Sequence, residues 1–277
     1  MLTLFTAMGL LENSDGNFSL TPTAREHLVS TSPWYLGPYY GSVKDRPVAK
    51  DILNVLRTDK PANWASLKDE QEWTRAMERE DFAAQFTASM DCRGVYLGQA
   101  LAKKVDLSRH TRLLDIAGGS GIYACSLVAH HPSLTATVLE KKPVDSIASN
   151  AIARRGFADR VSVIVADMFR DPLPADYDLH LFSNVLHDWD EPLVKELLAK
   201  SFTSLPRGGM VLIHDMHINA GKIGPLPVAA YSAMLATLTE GKCYSIAEMT
   251  SLLINAGFRE VRFVPTAADR SVITALK

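Results

Sequence analysis

A glycine-rich segment between residues 112 and 123, RLLDIAGGSGIY, contains the residue types of a nucleotide-binding loop. A short apolar strand carries Asp115 near its end, runs into Gly118, Gly119 and Gly121, and leads into a helix. Glycine lets the backbone approach a ligand without an intervening Cβ, and a helix N-terminus offers unpaired N–H groups. The segment therefore predicts a nucleotide cradle, with an ordinary strand-to-helix turn as the alternative.

Polar residues also follow the next four apolar segments, which we expect to be parallel strands. In an open parallel sheet, ligands bind beyond the carboxyl ends of the strands. Glu140 could accept both hydroxyls of a ribose, and the pair Asp167-Met168 suits the amino edge and the face of an adenine. Each residue alone could be a solvated loop acid or a helix cap, but five polar strand ends together predict a binding site. The other polar residues at these ends are Ser183, Asn184, His187, Asp188, Asp190 and Asp215.

A dinucleotide is a second candidate ligand for the loop. Residues 119–124, GSGIYA, fit the G-x-G-x-x-G/A fingerprint, and Glu140 could be the ribose acid of a nicotinamide dehydrogenase. Asp115, however, stands at the approach to the loop, where it can bind a ligand ammonium but would repel a pyrophosphate. The sequence therefore favours a ligand with an adenosine and an amino acid end.

Composition narrows the class of protein. The net charge of −2 gives no electrostatic footprint for nucleic acid or for an anionic membrane surface. The three cysteines, Cys92, Cys125 and Cys243, lack the spacing of a disulfide framework or a zinc site, so no metal is expected. Residues 1–11 lack the basic start and small-residue cleavage site of a signal peptide. These features predict a reduced, cytoplasmic protein.

Apolar strands alternate with helical segments from residue 107 onward, which predicts a doubly wound α/β sheet of seven strands. Only a short turn separates the last two strands, so we expect that pair to be antiparallel. The predicted strands are 113–116, 134–139, 161–165, 179–182, 210–214, 261–265 and 271–276.

The first hundred residues predict a smaller, mainly helical unit. An amphipathic segment precedes a hairpin signal at Asp15-Gly16, as in the second half of a winged helix. Residues 1–60 contain six basic and six acidic residues, so packing or dimerisation is favoured over DNA binding. Residues 70–105 predict a helix with Phe82, Phe86 and Met90 on one face, which could roof a site between two units. We expect one domain over 1–100 and another over 101–277.

Several motifs together resemble the S-adenosylmethionine-dependent O-methyltransferases of the caffeate and acetylserotonin type, including their bacterial relatives. The matching motifs are LLDIAGGSG, Glu140, ADMF at 166–169, VLHDWDE at 185–191, PRGGMVLIHD at 206–215 and the closing helix with its capping box. The resemblance covers residues 105–277 well and the N-terminal part more loosely. It implies a Rossmann-like methyltransferase fold with a partly truncated winged-helix dimerisation domain, and hence a homodimer.

The resemblance also implies roles for individual residues. Asp115, Gly118, Gly119 and Gly121 would shape the methionine end of the S-adenosylmethionine site, Glu140 would hold the ribose, and Asp167 and Met168 the adenine. His187 would be the general base that removes a proton from the acceptor hydroxyl, oriented by Asp215. Ser183 stands where plant members have a cofactor-binding lysine, and Cys243 where they have a second supporting glutamate.

The acceptor is expected to be a small, aromatic molecule. Phe86, Met90, Trp189 and Met234 are its candidate contacts by their place in the chain. Because of Ser183 and Cys243, a related activity with the same cofactor, such as C-methylation or decarboxylation, is an alternative. A non-enzymatic, cofactor-binding regulator is another.

Overall fold

The N-terminal elements of the computed structural model, which describes residues 1–61 and 76–277, are short. Helix α1 (Leu2–Ala7) is followed by the hairpin β1 (Leu11–Ser14) and β2 (Asn17–Leu20), and then by α2 (Pro22–Leu28), α3 (Gly37–Gly41) and α4 (Pro47–Thr58). The predicted hairpin is confirmed: strands β1 and β2 are antiparallel, and Asp15 and Gly16 both have positive φ, as this tight turn requires. Assignment of these elements to a winged helix, and the two-domain division, stay predictions.

A seven-stranded sheet forms the centre of the remaining chain. In sequence order its strands are β3 (Arg112–Ile116), β4 (Thr135–Glu140), β5 (Val161–Val165), β6 (Leu179–Ser183), β7 (Met210–Asp215), β8 (Arg259–Pro265) and β9 (Ser271–Leu276). The spatial order is β5-β4-β3-β6-β7-β9-β8. Strand β9 is antiparallel to both of its neighbours, and the other pairs are parallel, so the predicted doubly wound sheet with an antiparallel last strand is confirmed.

Helices cover both faces of the sheet because the central strands are apolar on both sides. Within β3, Leu113 belongs to one core cluster and Leu114 to the other, as alternation along a strand requires. Helices α6 (Ile122–His130) and α7 (Val144–Arg154) pack on the first face. Helices α8 (Glu191–Ser204) and α10 (Ile246–Asn255) pack on the second, and α10 has the predicted capping box.

Helix α5 (Glu80–Ala102) joins the N-terminal elements to the sheet domain and packs closely against α6. Gly94 and Gly98 make this approach possible, because a Cβ on either would lie 2.3 Å from Ile122 or 2.6 Å from Ser126. The prediction of a helix over 70–105 is confirmed for residues 80–102; residues 70–75 lie outside the described part.

Helix α9 (Leu226–Leu238) lies between the sheet domain and the N-terminal elements, and both α1 and α4 contact it. Across residues 1–61 and 76–277, no helix combines the length and apolar composition that a bilayer crossing needs.

Candidate active site

The glycine loop, residues 117–121, connects strand β3 to helix α6. Gly119 and Gly121 have φ values of 59° and 74°, the left-handed region that glycine adopts without strain. At Gly118 the constraint is space, since a Cβ there would lie 2.5 Å from the carboxyl carbon of Asp115. The loop can therefore fold over the Asp115 carboxyl only because residue 118 lacks a side chain.

Asp115 is completely buried, and neither of its carboxylate oxygens has a hydrogen-bond partner among the described residues. Burial, reinforced by the nearby charge of Glu140, raises the pKa of Asp115 to about 8. A buried carboxyl without partners costs stability. It is the expected signature of a group that is paired only when a ligand is bound.

Glu140 ends strand β4 on the other side of the glycine loop. Its Oε1 accepts a hydrogen bond from the Gly119 N–H at 2.8 Å, and its Oε2 accepts one from the Lys141 N–H at 3.0 Å. Burial raises its pKa to about 7 in spite of these bonds. Two acids beside one loop favour a cationic ligand group and oppose a pyrophosphate, which counts against the dinucleotide interpretation.

The turn after strand β5 is held by its own side chains. Asp167 Oδ1 accepts hydrogen bonds from the N–H groups of Phe169 and Arg170 at 2.9 and 3.3 Å, and Lys141 lies 3.3 Å from Oδ2. These contacts keep the pKa of Asp167 below its usual value although burial acts against them. Lys200, which the sequence did not single out, donates to the Met168 carbonyl at 2.9 Å.

Trp189 lies beside this turn. Its ring packs edge-on against Phe169, with centroids 4.8 Å apart. The sequence predicted Trp189 as an acceptor contact; the structure places its ring against Phe169, the residue after Met168, and the role of Trp189 stays a prediction.

His187 and Asp215 form a buried pair at the ends of the neighbouring strands β6 and β7. The Nδ1 of His187 lies 2.5 Å from Asp215 Oδ1, which also accepts the Met216 N–H at 2.7 Å. This bond places the proton of the neutral imidazole on Nδ1 and leaves Nε2 free to accept another. The pair has the geometry of a histidine base with an orienting acid.

Two acids decide the basicity of His187. Burial alone would lower its pKa, but Asp215 and Asp188 outweigh this effect and raise the pKa to about 9. Asp188 Oδ1 lies 3.5 Å from Nε2. Cys243 is buried nearby, and burial raises the pKa of its thiol, so this thiol stays neutral. The second acid beside the histidine is thus Asp188, since position 243 supplies no charge.

The backbone that carries His187 is fixed from two sides. His187 sits in a single helical turn, Leu186–Asp188, and the following helix α8 is capped by Asp190, whose Oδ1 accepts the Leu193 N–H at 3.2 Å. Asp190, and not His187, is therefore the residue that caps helix α8. Gly241 packs on the other side, where a Cβ would lie 2.1 Å from the His187 carbonyl oxygen. The sequence contains no local signal for this contact.

Side chains from helices α5 and α9 surround the open side of the histidine. Tyr231 on α9 packs edge-on against the His187 ring at 5.7 Å between centroids. Burial raises the pKa of the Tyr231 hydroxyl, although the positive charge of Arg93 on α5 opposes this effect. Arg93 also donates to the sulfur of half-buried Met90 at 3.1 Å. The predicted contact Phe86 is half-buried on the same helix, whereas Met234 is 44% exposed.

A network of polar side chains lies at the carboxyl end of strand β6. Ser183 Oγ lies 3.1 Å from His214 Nδ1, and Asn184 donates to the Tyr123 hydroxyl at 3.1 Å. Arg270, at the start of β9, donates to Asn184 Oδ1 at 3.1 Å. The structure thus gives predicted Ser183 a protein partner and brings Tyr123 and Arg270, which the sequence did not indicate, to the same place.

Asp91 links helix α5 to the glycine loop. It accepts a short hydrogen bond from the Ser120 hydroxyl and binds the Arg155 guanidinium at 2.6 Å through both oxygens. Because these three residues are far apart in sequence, no motif could have predicted the link.

A family model and a curated relative both point to the O-methyltransferases. Residues 51–259 match the family model of the O-methyltransferase domain. The 3-hydroxy-5-methyl-1-naphthoate 3-O-methyltransferase of Streptomyces sahachiroi is 36% identical over 271 residues, covering 97% of this chain and 77% of that protein.

Two solved structures extend the likeness to the whole fold. An O-methyltransferase family 2 protein from Planctomyces limnophilus, solved with apigenin, has a TM-score of 0.89 and 34% identity, covering 100% of this chain and 80% of that one. Human N-acetylserotonin methyltransferase, solved with S-adenosylmethionine, has a TM-score of 0.75, covering 100% and 81%. Its identity of 24% makes it evidence for the fold alone.

Proposed function

Since the chain belongs to the O-methyltransferase family, we propose that it transfers a methyl group from S-adenosylmethionine to a hydroxyl of a small aromatic molecule, with His187 as the general base. The protein is an enzyme of the methyltransferase class. The observation that carries the proposal is the placement of two groups at one edge of the sheet: the carboxyl of Asp115, which has no hydrogen-bond partner among the described residues, and the acid-supported histidine His187.

The residues at this edge fit the cofactor. Asp115, with no partner among the described residues, would pair with the ammonium of the methionine end inside the glycine loop. Glu140 would hold the ribose, and Asp167 and Met168 the adenine, with the ring of Trp189 nearby. When bound, S-adenosylmethionine supplies an activated methyl group on a sulfonium.

His187 makes the acceptor oxygen nucleophilic. Asp215 fixes Nδ1, so Nε2 would take the proton from the acceptor hydroxyl and leave the O–H electron pair on the oxygen, which makes this oxygen the nucleophile. The positive charge that forms on the ring is stabilised by buried Asp215. An aromatic acceptor suits the site because phenols ionise more readily than alcohols, and because Tyr231 and Met90 border it. The relatives named for a naphthoate and solved with apigenin support this class of acceptor.

The rate at which the methyl ether product forms should increase with pH. His187 must be unprotonated to act, and its pKa of about 9 means that most of the free enzyme is protonated at neutral pH. We expect kcat/KM for a naphthol to rise about tenfold per pH unit from pH 6 and to level off near pH 9. The measurement is initial rate against pH, with the product identified by mass and proton NMR.

The variant Asp188→Asn tests the assignment of this pKa. It removes a negative charge close to Nε2, so the midpoint should move to lower pH, by a small amount because half-exposed Asp188 is screened by water. A flat profile would remove His187 as the titrating base. If the product carried the new methyl group on a ring carbon, the proposed activity would be C-methylation and not O-methylation.

We also propose that the protein is a cytoplasmic homodimer. Large apolar side chains are exposed on the N-terminal elements, including Trp34 at 65% and Leu56 at 56%, and such a surface suits a second copy of the chain. All three cysteines are free thiols, as in a reducing compartment. Light scattering coupled to size exclusion should give about twice the chain mass of 30.4 kDa. A monomer at micromolar concentration would contradict the dimer.

A further inference from the structure

Asp91 on helix α5 contacts two segments of the sheet domain that lie far from it in the chain. Its Oδ1 accepts a short hydrogen bond from the hydroxyl of Ser120, a residue of the glycine loop that is 4% exposed. Both of its oxygens lie 2.6 Å from Nη2 of Arg155, which follows helix α7. The side chains of Asp91 and Arg155 are half-buried, so water and salt screen this ion pair less than an exposed one.

The ion pair with Arg155 limits what Asp91 can do in the site. A guanidinium already matches its charge, whereas Asp115 has no hydrogen-bond partner among the described residues. Asp91 is therefore not the acid that would pair with the ammonium of the cofactor. Its influence on the site passes through the loop residue that it holds, Ser120.

Ser120 stands next to the loop residues that face the other two acids of the site. The Gly119 N–H donates to Glu140 at 2.8 Å, and Gly118 lies against the Asp115 carboxyl. The loop is thus held from the sheet side through its backbone and from the helix side through one hydroxyl. A glycine on each side of Ser120 leaves the backbone free to adopt other conformations, so without this hydroxyl bond more freedom would be lost when a ligand binds.

We propose that Asp91 is a positioning residue for the cofactor, which keeps the glycine loop in its binding conformation through Ser120. Helix α5 thereby contributes to cofactor affinity. It can do so because Gly94 and Gly98, one and two turns further along, bring this helix close to α6. Holding a loop in its bound form raises affinity, since less entropy is lost on binding. The inference rests on the cofactor of the proposed function and not on its acceptor.

The test is calorimetric titration of the protein and its variants with S-adenosylhomocysteine. Asp91→Ala and Ser120→Ala should each raise the dissociation constant about tenfold, as expected when a hydrogen bond to a charged group is lost. The double variant should bind no more weakly than either single variant, because both changes remove the same bond. Asp91→Asn should lose only about threefold, since its amide oxygen can still accept the Ser120 hydroxyl.

Two matched controls lie on the same pair of helices but lack this contact. Asp81→Ala removes an exposed acid from the first turn of α5. Ser126→Ala removes a hydroxyl that faces Gly98 but is bonded within its own helix, to the Ile122 carbonyl at 2.8 Å. Both controls should keep the dissociation constant within about twofold of the unmodified protein.

Steady-state kinetics separates positioning from a general structural role. The loss in Asp91→Ala should appear mainly in KM for S-adenosylmethionine, whereas a general loss of structure would lower kcat as well. Unchanged cofactor affinity in Asp91→Ala would overturn the inference, and so would a double variant in which the two losses multiply. If Asp91→Ala does not fold, Ser120→Ala and Asp91→Asn decide the question, and normal affinity in both would overturn the inference.

The positioning role and the proposed function fail separately. Weaker cofactor binding in the variants, with no methyl transfer to a naphthol by the unmodified protein, would sustain the role of Asp91 and contradict the proposed function. Methyl transfer by the unmodified protein, with unchanged cofactor affinity in the variants, would do the reverse.

Discussion

Replacing His187 with alanine should lower kcat for methyl transfer by about 10²- to 10⁴-fold, the usual contribution of a positioned general base. The cofactor affinity should change less than about threefold, because His187 lies at the acceptor side and contacts Asp215, Asp188 and Tyr231. The measurements are single-turnover rates with a naphthol and calorimetric titration with S-adenosylmethionine.

The matched control for this substitution is His130→Ala. His130 is exposed at the end of helix α6, so its loss should leave both turnover and affinity unchanged. If turnover by the His187→Ala variant stayed within a few-fold of the unmodified enzyme, proton removal would have to occur by another route. The site would then act mainly by aligning the acceptor oxygen with the methyl group.

Replacing Asp115 with asparagine should change cofactor affinity and stability in opposite directions. Without the carboxylate the ligand ammonium loses its partner, so the dissociation constant of S-adenosylmethionine should rise about 10- to 100-fold. The ligand-free protein should become more stable by about 1–3 kcal/mol at pH 8, because a buried acid without described partners is removed. Calorimetry measures the first effect and chemical denaturation the second.

The gain in stability from the Asp115→Asn substitution should depend on pH. The raised pKa of Asp115 determines whether this gain increases or decreases as pH rises. Asp115 has a pKa of about 8 in the folded protein and 3.8 as its ordinary value, so the folded state binds the extra proton. Below pH 4 the carboxyl is protonated in both states, so its titration no longer affects stability; as pH rises toward 8, the unfolded state is favoured increasingly. The gain on substitution should therefore be small at pH 5 and largest at pH 8.

The control is Asp159→Asn, since Asp159 is exposed and remote from the glycine loop. It should alter neither cofactor affinity nor stability beyond a few tenths of a kcal/mol. An Asp115→Asn protein that binds the cofactor normally would contradict the assigned role of the carboxyl. The opposite signs of the two effects also separate a ligand-binding role from a structural one, since a structural acid would stabilise the ligand-free protein.

Much of the fold could be predicted, and so could the edge of the sheet at which the candidate residues lie, because the signals are local. All seven sheet strands lie where apolar runs predicted them, and the Asp15-Gly16 turn and the capping box at Ser245 depend on neighbouring residues only. Parallel strands end at one edge, so the chain order alone brought Asp115, Glu140, Asp167, His187 and Asp215 to that edge. The pairing of His187 with Asp215 was implied by the family resemblance, and the structure shows the contact.

The acceptor side depended on contacts between segments far apart in the chain. Arg93 reaches the site because Gly94 and Gly98 let helix α5 approach α6, and Arg270 reaches it across the antiparallel strand β9. Position along the chain could not show that the Trp189 ring packs against Phe169, and its predicted contact with the acceptor stays a prediction. Burial and neighbouring charge, which give Asp115 and His187 their pKa values near 8 and 9, exist only after packing. Residue order could thus identify the reacting groups, while close approach and desolvation in the folded chain set their charge states and surroundings.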